Sequence, residues 1–373
     1  MNEHQVCTMC VMDTSAPGIV FDDRGQCNFC RDFEARLGDP AVHGRSDRER
    51  AGFIAEVKKQ GRGKDYDCIV GVSGGVDSSY ALYLAVKHGL RPLAVHLDNG
   101  WNSELASHNI ANLITTLKVD LVTHVIDWEE NRDLQRAFFA ANVIDIELLM
   151  DNAMLATNFA QARRFGVKYI LAGTNNSTEG MTMPLGWNHH KWDKRNIKAI
   201  HRRFGRLPIR THPLYGTWEF ILDQYVRRIR WISFLDYFDY NKAEAIAILQ
   251  RECGYRPYAH KHYESVFTRF YQGYILPNKF GVDKRRLHLS TLVVSGQQSR
   301  EDALAALEQD PYPDPDQKRE DKTFVLKKLG FSEAGFDEYV AAPPVPHAHY
   351  GSEAGRMRFL GRLYHRLRGR ARA

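Results

Sequence analysis

The chain has 373 residues, 43% hydrophobic and 26% charged, with a mean hydropathy of −0.45; ordinary globular values at this length point to one large domain with appendages or to two domains, and exclude a chain disordered throughout. No run approaches the roughly 20 apolar residues of a membrane span, and the first residues lack the basic and apolar regions of a secretory signal, so a cytoplasmic protein is expected. The net charge of +6 is no general nucleic-acid signal: seven arginines between Arg356 and Arg372 exceed it by themselves and leave the rest close to neutral.

The first feature along the chain is a pair of C-x-x-C knuckles, Cys7 with Cys10 and Cys27 with Cys30. Four thiolates so spaced can meet around one ion. Tetrahedral zinc bound by four sulfurs keeps no open position, which gives a structural staple for a segment too short to bury a core; an iron-sulfur cluster or unligated thiols are the alternatives. Cys68 lies in an apolar run and reads as core, and Cys253 carries no local sign of nucleophile activation.

Residues 31 to 64 read as a linker with one or two helices. Short apolar runs then alternate with amphipathic stretches: 67–73, 92–98, 121–127 and 167–174 predict buried strands, while 78–89, 104–118 and a long region 133–165 predict the helical crossovers that parallel strands need. The expected fold is α/β, a doubly wound parallel sheet with ligands at the carboxyl ends of its strands.

The first strand runs into GVSGGVDSS, Gly71 to Ser79, followed at once by an apolar helix. Gly74 and Gly75 let the backbone turn tightly and bring its amides to an anion, the helix start adds its positive end, and Ser73 and Ser78 add hydroxyls. This predicts a phosphate cradle. It is neither a Walker A loop nor a dinucleotide fingerprint, since both the Gly-Lys-Ser/Thr ending and G-x-G-x-x-G are missing. Asp77 would repel phosphate by itself and makes sense as a magnesium ligand.

At these residues the sequence resembles the PP-loop ATP pyrophosphatases of the adenine nucleotide α-hydrolase-like (HUP-like) superfamily. The resemblance implies that ATP is cleaved between its α and β phosphates. It also implies that Ser73, Gly74, Gly75, Asp77 and Ser78 hold pyrophosphate, and that Leu97, Asp98, Gly173 and Thr174 border the adenosine. The knuckles, the loop 173–180 with Glu179, and segments 267–272, 276–281 and 283–290 further resemble the N-acetyl sugar amidotransferases of surface-polysaccharide and O-antigen biosynthesis, the WbpG-type lipopolysaccharide proteins among them. That implies adenylation of an acetamido oxygen on a nucleotide-linked sugar, followed by ammonia. The expected layout is a four-cysteine segment 1–40, a PP-loop domain 41–215, a mainly helical region 216–355 that completes the site, and a basic amphipathic tail 356–373.

Two basic clusters are candidates for the anionic substrates. Lys284, Arg285 and Arg286 are candidates for neutralising charge in catalysis, against the reading of a solvated basic turn; His189, His190 and Lys191, with Trp187 and Trp192 nearby, are candidates for binding a nucleotide-sugar acid. No nucleophile elbow surrounds Cys68 or Cys253, so ammonia is expected from a partner; the resemblance implies a separate class I glutaminase subunit, with a cyclase-like companion as a further partner. The alternatives are a tRNA-modifying PP-loop enzyme of the thiolase type and a zinc-ribbon RNA-binding protein. The near-neutral body does not fit the first, the second leaves the phosphate cradle unexplained, and no nucleic-acid partner is expected. The tail, with apolar residues on one helical face and arginines on the rest, is a candidate for peripheral contact with an anionic membrane or an acidic partner.

Overall fold

The structure is a computed structural model and describes residues 4–39, 45–258, 264–312 and 314–355; the tail reading lies outside these residues. In chain order the first elements are α1 (Asn28–Leu37), α2 (Asp47–Gln60), β1 (Cys68–Gly71), α3 (Val76–Lys87), β2 (Pro92–Asp98), α4 (Glu104–Leu117) and β3 (Leu121–Val125). Then follow α5 (Trp128–Ala140), α6 (Leu148–Arg164), β4 (Tyr169–Ala172), α7 (Asn176–Glu179), α8 (Lys194–Phe204), α9 (Thr217–Ile221) and β5 (Arg230–Ser233). The remainder is helical: α10 (Lys242–Cys253), α11 (Val266–Phe270), α12 (Arg285–Val294), α13 (Arg300–Glu308), α14 (Pro315–Leu329) and α15 (Glu333–Ala341). Among the described residues no helix is long and apolar enough to cross a membrane.

The sheet is five-stranded and parallel throughout, in the order β3-β2-β1-β4-β5. The four expected strands form. The helical region expected over 133–165 comprises two helices, because Asn142 takes a left-handed conformation (φ 54°) just past α5, and Asp145 then accepts the amide of Leu148 to start α6. Alternation along β1 divides the core. Cys68 and Val70 pack with α2, α3, α4 and α10 on one face, while Ile69 packs with Leu155 and Phe159 of α6 on the other.

Order reverses between β1 and β4. Those two strands share one register pair, Ile69 with Ile170, whereas β1 and β2 share four, so a crevice opens at their carboxyl ends. A third apolar cluster joins distant parts of the chain: Met12, Phe29 and Phe33 of the cysteine segment pack with Trp101, Phe138, Phe267 and Phe336. Four aromatic rings from four regions make the cysteine segment part of the main body rather than a pendant arm.

Candidate active site

The turn after β1 lies at this crevice. Gly74 is left-handed (φ 83°), and a β-carbon on it would stand 2.8 Å from the carbonyl oxygen of Ala106, so the tight turn against α4 requires glycine. Gly75 caps α3 without a side chain, which leaves the first-turn amides of α3 without a side-chain acceptor. The Ser73 amide donates to Ser78 Oγ (3.2 Å), the Gly75 amide donates to Ser73 Oγ (3.3 Å), and the two hydroxyls lie 3.2 Å apart. Donors thus converge on one hollow. Gly173 closes it from β4: a β-carbon there would meet the Asp77 carbonyl carbon and the Ser78 amide nitrogen at 2.6 Å.

A cavity of about 470 Å³ opens in front of the loop, a volume suited to a nucleotide. Ser73, Gly75, Asp77, Ser78, Leu97, Gly173, Thr174 and Glu179 all line it. Gly74 supports the turn from behind, and Asp98 is turned away, its carboxylate accepting the amide of Gly100 (2.9 Å). Several residues here had no sequence signal. Tyr240 donates its hydroxyl to Asp77 Oδ1 (2.5 Å), and Tyr258 donates to the carbonyl of Gly74 (3.0 Å). Burial and then the Asp77 carboxylate push the Tyr240 phenol well above its ordinary value, so it stays a donor.

Glu264 reaches the loop through an antiparallel bridge between Asn102 and Ser265, in which the Ser103 amide donates to Glu264 O and the Val266 amide to Trp101 O (both 2.9 Å). Its Oε1 would lie 3.6 Å from a β-carbon on Gly75. Asp77, Asp151, Glu179 and Glu264 face this cavity, and among the described residues Lys242 is the one lysine or arginine that does. Such a balance admits a triphosphate only with a cation. Asp77 and Glu264, flanking the loop, have the oxygen donors that magnesium takes.

A second chamber of about 290 Å³ adjoins the first, sharing Asp151, Glu264 and Thr268. Lys191 and Lys284 line it, but both are held by carboxylates: Lys191 by Asp145 (2.7 Å) and Asp151 (2.8 Å), Lys284 by Glu147 (3.3 Å). Burial works against the Asp145 charge, yet Lys191 and Lys284 outweigh it and hold that carboxyl at about 2. For Asp151 burial prevails over Lys191, helped by Glu147 and Asp145, and its carboxyl is pushed above the usual range.

The remaining expected residues are not brought to the cavities. Arg285 turns to Asp283 (2.7 Å) and to the carbonyls of Ala306 and Gln309, and Arg286 to Val11 O and Asp13. Three consecutive residues at a helix start point in three directions, about 100° apart, so they could not serve one site. His189 pairs with Asp193 (2.7 Å) and stacks on His347, while His190 packs edge-on against Trp192, its imidazole pushed down by burial. Neither histidine lines either cavity. Cys68 and Cys253 line neither cavity; burial, then Asp67 and Glu252 respectively, pushes both thiols up, opposite to what sulfur transfer needs.

The four knuckle cysteines converge, fully buried, with all sulfurs within 4.8 Å of one another. Cys7–Cys30 and Cys27–Cys30 are 3.6 Å apart and Cys10–Cys27 3.7 Å. A zinc-sulfur bond of about 2.3 Å in a tetrahedron implies sulfurs roughly 3.8 Å apart, so the set fits zinc. A four-iron cluster would spread its thiolates much farther. Amides of Cys10 and Cys27 donate to Cys7 Sγ (3.5 and 3.2 Å), as suits a thiolate.

A parallel 3-2-1-4-5 sheet with the Ser-Gly-Gly-Val-Asp-Ser turn at the end of β1 is the α/β architecture expected from the sequence. Residues 264–364 match the family described as "LPS biosynthesis protein WbpG-like, C-terminal domain", so the resemblance expected from the sequence is borne out over that span. No curated protein matches the chain. Solved structures similar to it include an NMN synthetase from Francisella tularensis (16% identity, TM-score 0.28, covering 59% of this chain and 100% of that one). Others are an NH3-dependent NAD synthetase from Campylobacter jejuni (14%, 0.29, 57% and 97%) and an NAD+ synthetase from Burkholderia pseudomallei (20%, 0.27, 59% and 92%).

Proposed function

We propose that the chain is an AMP- and pyrophosphate-forming amidotransferase that converts the acetamido group of a nucleotide-linked N-acetyl sugar into an acetamidino group in O-antigen or related surface-polysaccharide biosynthesis. The observation that carries the reading is the joining of a phosphate cradle at the β1/β4 crevice to a second chamber, through Glu264 at the start of the WbpG-like segment. The acetamido oxygen attacks the α-phosphorus of ATP and pyrophosphate leaves into the hollow formed by Ser73, Gly75 and Ser78. Ammonia then adds to the imidate carbon, and AMP departs with the former acetamido oxygen, leaving C=NH in its place. The chain's task is positioning and charge neutralisation.

Asp77 would hold magnesium, with Glu264 beside it, and the ion would neutralise charge on the departing pyrophosphate. Leu97, Gly173 and Thr174 border the adenosine, and Glu179 faces the acceptor. The second chamber has Glu147, Asp151 and Glu264 against Lys191 and Lys284. That makes it a poor seat for a diphosphate and a suitable one for ammonium, whose proton Asp151 would accept. A structural zinc at Cys7, Cys10, Cys27 and Cys30, a cytoplasmic location and a separate glutaminase subunit complete the reading. The test is incubation with ATP, magnesium, ammonium and a panel of acetamido nucleotide-sugars. AMP release that depends on one of these sugars supports it; AMP release stimulated only by tRNA would replace it.

A further inference from the structure

The cysteine module lies where it bears on the nucleotide cavity. Cys27 caps α1 with its own sulfur, accepting the Cys30 amide (3.4 Å), so metal ligands and helix are one unit. From that helix Phe33 and Arg36, three residues apart and hence on one face, meet the loop that follows β4. Arg36 Nη2 donates to the carbonyl of Gly180 (2.5 Å) and to Thr182 Oγ1 (3.3 Å). Phe33 is fully buried, and its ring fills the space in which a Gly180 β-carbon would stand, 2.3 Å from Cε2. The backbone of Asn176 crowds the same position, so glycine at 180 answers both to the module and to the turn of α7 itself.

The same loop is gripped from its other side. Ser295, the residue capping α12, donates its hydroxyl to the carbonyl of Ser177 (2.7 Å). Helix α12 is in turn keyed to the cysteines: Ser290 Oγ accepts the Val11 amide (3.1 Å), and Arg286 donates to the Val11 carbonyl (3.1 Å). Just beyond, Arg300 at the start of α13 donates to the carbonyls of Cys7 (2.8 Å) and Cys10 (3.1 Å). Between these two grips runs α7, whose flanking residues Gly173 and Thr174 and whose own Glu179 line the nucleotide cavity.

We infer that Phe33 and Arg36 are positioning residues for the 173–180 loop, and that the metal-bound cysteine module acts on the nucleotide cavity through them rather than serving only as a distant staple. The effect on nucleotide binding rests on the function proposed above; the effect on the loop does not.

The test uses the full-length protein and two variants, Arg36→Ala and Gly180→Ala, with Arg36→Lys as the conservative control. Three quantities are read: metal content, hydrogen exchange at the amides of Thr178, Glu179 and Gly180, which are bonded within the loop, and the dissociation constant for ATP with magnesium. Arg36→Ala is expected to keep its metal and to exchange those amides about tenfold faster, the scale of one lost hydrogen bond from a charged donor. Its ATP binding should weaken, and Arg36→Lys should recover part of both effects. Gly180→Ala should exceed Arg36→Ala, and metal removal by chelation should quicken exchange at the same amides. Unchanged exchange in Arg36→Ala would overturn the inference, whatever Gly180→Ala does, because an alanine at 180 also strains the loop against its own Asn176 backbone. Faster exchange with ATP binding absent even in the unaltered protein would uphold the loop coupling while refuting the nucleotide reading.

Discussion

Gly173→Ala puts one methyl group against the backbone that the phosphate cradle depends on. The new carbon would stand 2.6 Å from the carbonyl carbon of Asp77 and from the amide nitrogen of Ser78, and 2.7 Å from the Asp77 carbonyl oxygen. Relief to an ordinary 3.4 Å contact requires the end of β4 and the start of α3 to separate by about 0.8 Å. No side chain can rotate away, because all three contacts are main chain. Overpacking of this kind costs about 1–3 kcal/mol of stability, and a displacement near 1 Å at the reacting groups lowers turnover by roughly 100-fold. Pyrophosphate release with ATP, magnesium, ammonium and the sugar substrate is the assay, with thermal unfolding alongside. Gly52→Ala is the control: its β-carbon meets nothing within 4 Å in α2, so it should gain up to about 1 kcal/mol and turn over normally. Turnover by Gly173→Ala within about twofold of the unaltered protein would refute the placement of pyrophosphate between α3 and β4.

Asp77→Asn should abolish pyrophosphate formation with the fold retained, and ATP binding by the unaltered protein should weaken at least about tenfold when magnesium is withheld, because among the described residues four carboxylates face one lysine in the cavity; calorimetry in the two buffers checks it. Elemental analysis should find about one zinc per chain, and Cys10→Ser should lose it together with stability. Lys191→Met should cost about 3–5 kcal/mol by leaving Asp145 buried without its nearest cation. Since the folded Asp145 carboxyl lies at about 2, below its unfolded value, its contribution of about 2 kcal/mol is present above pH 4 and lost as pH falls toward 2; denaturant titrations across that range should show the loss. Free ammonium should sustain turnover and glutamine by itself should not, as judged by product mass.

What could be read in the sequence was chemistry carried by neighbours in the chain. The loop from Ser73 to Ser78 and the two knuckles are short spacings whose residue types have few other uses, and four strands announced themselves as apolar runs. β5 escaped notice because Arg230-Trp-Ile-Ser is short and starts with a charge, as an edge strand can. Tyr240, Tyr258, Glu264, Asp151 and Lys242 escaped for another reason: each reaches the cavity by a long-range contact, and none belongs to a local pattern. The basic clusters divide because adjacency in sequence is not adjacency in space. Arg285 and Arg286 diverge along the start of α12, and His189 and His190 do not line the chamber that Lys191 enters. Lys191 and Lys284 do reach it, but paired with carboxylates, a charge balance that spacing along the chain does not reveal.

Oxygen transfer tests the central claim most directly. A nucleotide-sugar labelled with ¹⁸O in the acetamido carbonyl, incubated with the protein, ATP, magnesium and ammonium, should give an acetamidino product without the label and AMP carrying one ¹⁸O on its phosphate. Unlabelled AMP beside a converted sugar, or labelled inorganic phosphate in place of labelled AMP, would contradict attack of the acetamido oxygen on the α-phosphorus.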